Sequence, residues 1–367
     1  MRTLILLTTL FLAGIQTYAQ NYLAAAEKDG LWGFLDENGN WAIEPQYDAV
    51  KDFEQKLCLV KKDREWHYIN VNNEMVDVNK GYEPRYSASE GLGRVEIDGR
   101  WTFVDETGNP ITEPRFIDAR DFSDGLAAVR CEDGLWGYLD RNGNMAVDCK
   151  YRNAKEFITG VALVDTDKGW RYINKNFEIL PAEGYDPRYE FSDGMARVRT
   201  REGWAYINTT GEIVIEGSYE NIRDFYYGVA AVEQDGYWGY INKEGRYVAL
   251  PEYPRAKDFE NGMGLMEHDN EYFYINPEGE RIGWHTDYLV KYEFGDERAR
   301  VIKDRKFGFI DQYGELVIPA VYDKAKDFKN DFAIVLKDGR WGAVDKQGNV
   351  VADFKFENLR DYQKVNE

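Results

Sequence analysis

An aromatic residue that returns every 34 or 35 positions limits what this chain can fold into more than any other feature. The series is Trp32, Trp66, Trp101, Trp136, Trp170, Trp204, Trp238, Tyr272, Phe307 and Trp341. A fixed period of this size marks an array of small units, each burying its apolar face against a neighbour. Length alone, 367 residues, would allow two domains. Ten units account for nearly everything after the first 19 residues, so 20–367 reads as one continuous array.

Each unit carries the same local code. Eight residues before the leading ring the side chain is small, as in Ala24, Cys58, Gly93, Ala196 and Ala333, and an apolar residue follows two later. That alternation predicts a short strand with one buried face. A turn follows, often Asp-Gly as at Asp98-Gly99 and Asp338-Gly339, which is a strong hairpin signal. Two residues beyond the leading ring stands a second ring (Phe34, Tyr68, Phe103, Tyr138, Tyr172, Tyr206, Tyr240, Tyr274, Phe309; only Ala343 departs), then an aliphatic residue. Both faces of this second strand therefore meet apolar surroundings, and the leading rings are expected to be internal mortar between units. An Asp or Asn comes next, usually with Gly three residues on, as in Asp140 and Gly143, which predicts an Asx turn. A third strand such as Leu316-Val317-Ile318 follows, and the unit ends in a segment such as Asp258-Phe259-Glu260-Asn261-Gly262, whose Phe is expected to act as a plug.

The expected fold is all-β, a tandem array of about ten hairpin units of 34–35 residues. An open superhelical or solenoid stack is favoured, with a closed β-propeller as the alternative. Propellers normally have four to eight blades of four strands, whereas this unit has room for about three, and the chain begins and ends in nearly the same repeat phase.

The formal charge of −20 argues against nucleic acid or an anionic membrane as partner. Residues 1–19 have a basic start at Arg2, an apolar run from Leu4 to Ile15, and small residues at Thr17 and Ala19, the pattern of a secretory signal peptide. Export to the periplasm, cell surface or extracellular space is the expectation, with no transmembrane segment. Cys58, Cys131 and Cys149 do not form a disulfide scaffold or a zinc set; Cys58 should be a small buried residue, and a Cys131–Cys149 bridge is left open.

No chemistry stands out. Asp36, Asp105, Asp140, Asp311 and Asp345 occupy a turn position that is Asn in the other units, an exchange an Asx turn tolerates and a catalytic carboxylate does not. Asp140-Arg141-Asn142-Gly143-Asn144 lacks the ligand alternation of a calcium loop. His67, His268 and His285 share no spacing. Accordingly no catalytic, cofactor-binding or metal-binding residues are assigned, and no cofactor is expected. The irregular second and eighth units, the latter with Trp284 and His285 in its tail, are the cheapest places for a specific site.

In these residues the chain resembles the bacterial WG-repeat family, named for a Trp-Gly pair seen at Trp32-Gly33, Trp136-Gly137, Trp238-Gly239 and Trp341-Gly342, and nearly so at Phe307-Gly308. His67, Thr102, Arg171, Ala205 and Phe273 replace the glycine elsewhere. The resemblance implies an all-β repeat protein, commonly exported, that binds something and brings no catalytic residues with it. The expectation is a non-enzymatic, monomeric binding scaffold recognising an unknown protein or polysaccharide. A structural spacer is the alternative, and a glycan-processing enzyme is the more remote one.

Overall fold

The computed structural model describes residues 21–76, 83–84, 86–181, 184–284 and 286–365, so the leader expected over 1–19 and His285 lie outside the described residues. No helix occurs among the described residues. The described residues form ten small antiparallel sheets, none of them a closed barrel. The Trp238 sheet shows the plan: Asn221–Ile222, Val229–Gln234, Tyr237–Asn242 and Tyr247–Tyr253, paired in chain order. Its central hairpin sets Ala230 opposite Ile241 and Val232 opposite Gly239.

Seven of the ten sheets have four strands rather than three because the closing segment of the preceding repeat is extended. It supplies the next sheet with a strand, two residues long in most units and six in Asp118–Ser123 and Arg255–Glu260, and then turns tightly, bridging Tyr226 to Val229 in this case. Sheets and sequence repeats are thus out of phase. The closing segment after the Trp341 unit, Asn358–Leu359, pairs with Tyr22–Lys28, the first strand among the described residues. Gln363–Lys364 pairs with that strand as well. The first sheet is therefore completed by strands from both ends, contrary to the expectation drawn from repeat phase.

Ten hydrophobic clusters follow from this, each shared by two neighbouring sheets. One joins the tenth sheet to the first through Ala24, Ala26 and Leu35 against Ile334, Phe356 and Leu359. Ten sheets with free ends would share nine such cores. The all-β tandem array is as expected; its ends are joined, which corresponds to the closed alternative.

Every leading ring packs in or against a core shared by two sheets, as expected, but at its edge rather than its centre. Trp136 is buried, but the other nine leading rings are half-buried. They sit where the hairpin strand begins, at the rim of the junction, and several carry a cation from a neighbouring segment: Arg360 lies 4.8 Å from the Trp32 centroid and Arg120 5.2 Å from that of Trp136. The rings two residues later are fully covered, Tyr206, Tyr240 and Phe309 at 0% exposure. Against most of them packs the plug of the following segment edge-on, as for Tyr206 and Phe225 at 4.7 Å or Tyr274 and Phe294 at 4.6 Å. Such pairs add to the area they bury. The tyrosine hydroxyl then donates to a backbone carbonyl of that segment: Tyr138 to Lys155 at 2.7 Å, Tyr206 to Arg223 at 2.6 Å, Tyr240 to Lys257 at 2.8 Å.

Candidate binding surface on the ring

Most lead-ins repeat a small or aliphatic residue, a cation, an acid and the plug ring, as in Ala256-Lys257-Asp258-Phe259 and Ala325-Lys326-Asp327-Phe328. The first and last of these are buried, so the two charged residues emerge between them. Cations reach forward to the acid of the next lead-in: Arg223 to Asp258 (3.3 Å), Lys257 to Glu293 (3.8 Å), Lys326 to Asp361 (3.6 Å) and, across the joined ends, Arg360 to Asp52 (3.5 Å). In three lead-ins a tyrosine replaces the cation: Tyr86, Tyr189 and Tyr292. There an arginine from the next strand takes over. Arg197 holds Asp224 with both Nε (2.7 Å) and Nη2 (3.1 Å) and stacks on Tyr189 at 4.6 Å; Arg300 holds Asp327 and stacks on Tyr292 at 4.0 Å. Arg94, Asp121 and Tyr86 form the third such set.

Burial pushes the carboxyls of Asp121, Asp224 and Asp327 up, against the opposing pull of the arginines. Neighbouring acids add to the rise, Asp258 for Asp224 and Glu293 for Asp327. The carboxylates thus form a wall in which each senses the next.

Four consecutive lead-ins line one cleft of about 780 Å³, with Glu260, Glu293, Asp327, Asp361, Arg300 and Lys326 in its walls. Only the concave side of a curved array lets so many successive units share one space, so the wall faces inward.

The carboxylates considered as catalytic candidates lie elsewhere, in the hairpin turns. Asp140 Oδ1 accepts from the backbone of Asn142 (2.9 Å) and Asn144 (2.8 Å), and Asn208 Oδ1 accepts in the same way from Thr210 and Glu212 (both 3.0 Å). Asp and Asn make the same turn. No group of three residues able to hold a metal occurs among the described residues. His67 lies in a strand opposite Val60, and His268 packs beside Tyr253 and Trp284. Cys131 and Cys149 are bonded, tying the turn before the Trp136 strand to the last strand of that sheet, whereas Cys58 is buried and free.

The Trp-Gly glycine has a steric cause. A Cβ on Gly239 would stand 2.5 Å from the Ala249 carbonyl oxygen, and one on Gly33 2.4 Å from that of Ile43. The last strand bulges over the glycine, its register jumping between Trp238↔Tyr253 and Tyr240↔Ala249. The five sheets that keep the glycine have a seven-residue last strand, for example Met145–Tyr151 and Val350–Phe356. Where a side chain replaces it that strand is short, as in Ile213–Glu216 and Arg281–Ile282, or reduced to a bridge, as at Ile173 with Ile179. In the irregular eighth unit the replacement, Phe273, is buried and stacks on Trp284 at 4.6 Å beneath Arg281. Irregularity there builds a core rather than an opening. The inward wall was missed from sequence because its cations and acids looked like ordinary surface charge; their recurrence beside the plug was the available signal.

No helix among the described residues is long and apolar enough to cross a membrane. No curated protein matches the chain. Among solved structures it is similar to a eukaryotic initiation factor (11% identity, 94% of this chain and 98% of that one, TM-score 0.48). It is also similar to BamB from Moraxella catarrhalis (12%, 71% and 90%, TM-score 0.33) and to the computationally designed Ika8 protein (14%, 72% and 93%, TM-score 0.33). The family model described as WG containing repeat matches residues 32–66, 101–135, 136–170, 204–238, 238–272, 307–341 and 341–364, more than half of the chain. The protein belongs to the WG-repeat family.

Proposed function

We propose that this protein is an exported, monomeric, non-enzymatic scaffold that binds a protein or glycan partner on the surface of its ring. The observation that supports this most is the division of labour among its polar residues. The turn carboxylates accept from the backbone and the inward carboxylates are tied to cations of adjoining units, while clefts between units stay open. A catalytic pair needs carboxyls free to exchange protons in a cleft. A binding surface needs only shape and fixed polar groups. The disulfide between Cys131 and Cys149 suits an oxidising compartment and so supports export.

The test is to immobilise residues 20–367 and probe them with envelope polysaccharides and secreted proteins. Saturable retention that survives Asp140→Asn, without breakdown of the retained component, is the expected result. Retention of nothing would favour the spacer, and hydrolysis of a retained glycan the enzyme.

A further inference from the structure

Between the Trp238 and Tyr272 sheets lies a cavity of about 370 Å³ lined by both leading rings, by Arg223, Arg255 and Lys257, and by the buried Ala256 and Leu265. Arg255 and Lys257 alternate along Arg255–Glu260 with Ala256 turned into the core, so both cations project to one side. At the matching positions the Trp136/Trp170 junction has Arg120, Asn153 and Lys155, and the Trp341/Trp32 junction has Lys326, Asn358 and Arg360. The middle residue is Asn in both, and Asn221 and Asn358 bond the facing Glu233 and Glu27. Arg255 in that place stands 3.6 Å from Glu267 and is three-quarters exposed. Lys257 is more than half exposed and 3.8 Å from its acid. Neither cation is consumed by its partner. Three cations and two rings line the cavity, and Asp258, Glu267 and Glu293 each lie within 4 Å of one of those cations.

We propose that this junction binds an acidic sugar residue, a uronate unit of a polysaccharide, with its carboxylate on Arg255 and Lys257 and its ring against Trp238 and Tyr272. A guanidinium fork matches a carboxylate, and aromatic rings give the flat apolar partners that a sugar's C–H faces require. The cavity has the volume of a small-ligand site. An acidic peptide would satisfy the cations and leave the rings unused, so the sugar is the better fit. The inference rests on the binding-scaffold reading and narrows it to a ligand class and a place.

Intrinsic tryptophan fluorescence and calorimetry of residues 20–367 would be followed with three probes: galacturonic acid trisaccharide, the same trisaccharide methyl-esterified, and tetraglutamate. Saturable binding of the acid trisaccharide is expected, at least tenfold weaker for the methyl ester, for tetraglutamate, and for the Arg255→Ala/Lys257→Ala double variant. Both substitutions are at exposed side chains, and an unchanged melting curve would certify the fold. Lys155→Ala at the Trp136/Trp170 junction should leave affinity unaltered. Absence of saturation, equal binding of the ester or of tetraglutamate, or an unaffected double variant would overturn the inference. If the acid trisaccharide fails while the immobilised chain still retains another envelope component, the inference falls and the scaffold reading stands.

Discussion

At the residue scale, stability is concentrated in the second ring of each unit. Tyr240 is fully covered, lies edge-on to Phe259 at 5.4 Å, and donates to the Lys257 carbonyl. Tyr240→Phe keeps the ring and strands a buried acceptor, so it should cost about 1–2 kcal/mol. Tyr240→Ala also opens a cavity and should cost about 3–5 kcal/mol. Trp238→Ala, at the half-exposed rim, should cost clearly less than Tyr240→Ala. Urea denaturation of the three variants would check the order, and a larger loss from Trp238→Ala would contradict it. The reason sequence favoured the tryptophans is instructive. They are the largest and most regular rings, but regularity marks a position the repeat uses without saying how deep it lies. Depth was set by the neighbouring unit's plug, which stands on another segment and has no local spacing to announce it.

At the element scale, the glycine after the leading ring decides whether a full last strand can cross it. Gly239→Ala should therefore release Tyr247–Tyr253, costing about 1–3 kcal/mol through overpacking against Ala249. Hydrogen exchange should rise along that strand, and unaltered protection there would refute the steric account. In the Trp136 sheet the same outer strand is secured by the Cys131–Cys149 bond, which spans 18 residues. Reducing it should lower stability by about 3 kcal/mol, read as the difference between denaturation curves with and without reductant. The hairpins and Asx turns were legible because their determinants are adjacent in sequence: Asp36 and the Asn38 and Asn40 amides it accepts from are within one turn. The two-residue first strand was not. It pairs with a hairpin belonging to the next repeat, so a reader of one period sees a coil.

At the scale of the whole molecule, the inward acids give an unusual pH response. Asp121, Asp224 and Asp327 have carboxyls raised by burial, so the fold holds their protonated forms better than the unfolded chain does. The stability this contributes is present at low pH and lost as pH rises through the raised values. As the pH falls from neutral through these raised values the urea midpoint should thus rise, helped by relief of the −20 charge. The gain should reverse only as Asp323 and Asp331, whose carboxyls are held below the usual range by lysine partners, take up protons. A midpoint that only falls between neutral pH and the ordinary carboxylate range would contradict this.

The seam between first and last sheets has a further consequence. Val365 donates to the Asn21 carbonyl at 3.0 Å, so head and tail lie side by side. Where the polypeptide starts is then arbitrary. A circular permutant with a short glycine bridge from Val365 to Asn21 and new ends in the Asp235-Gly236 turn should fold to the same molecule, whereas a chain merely cut short before Asn358 should lose a shared core and melt earlier.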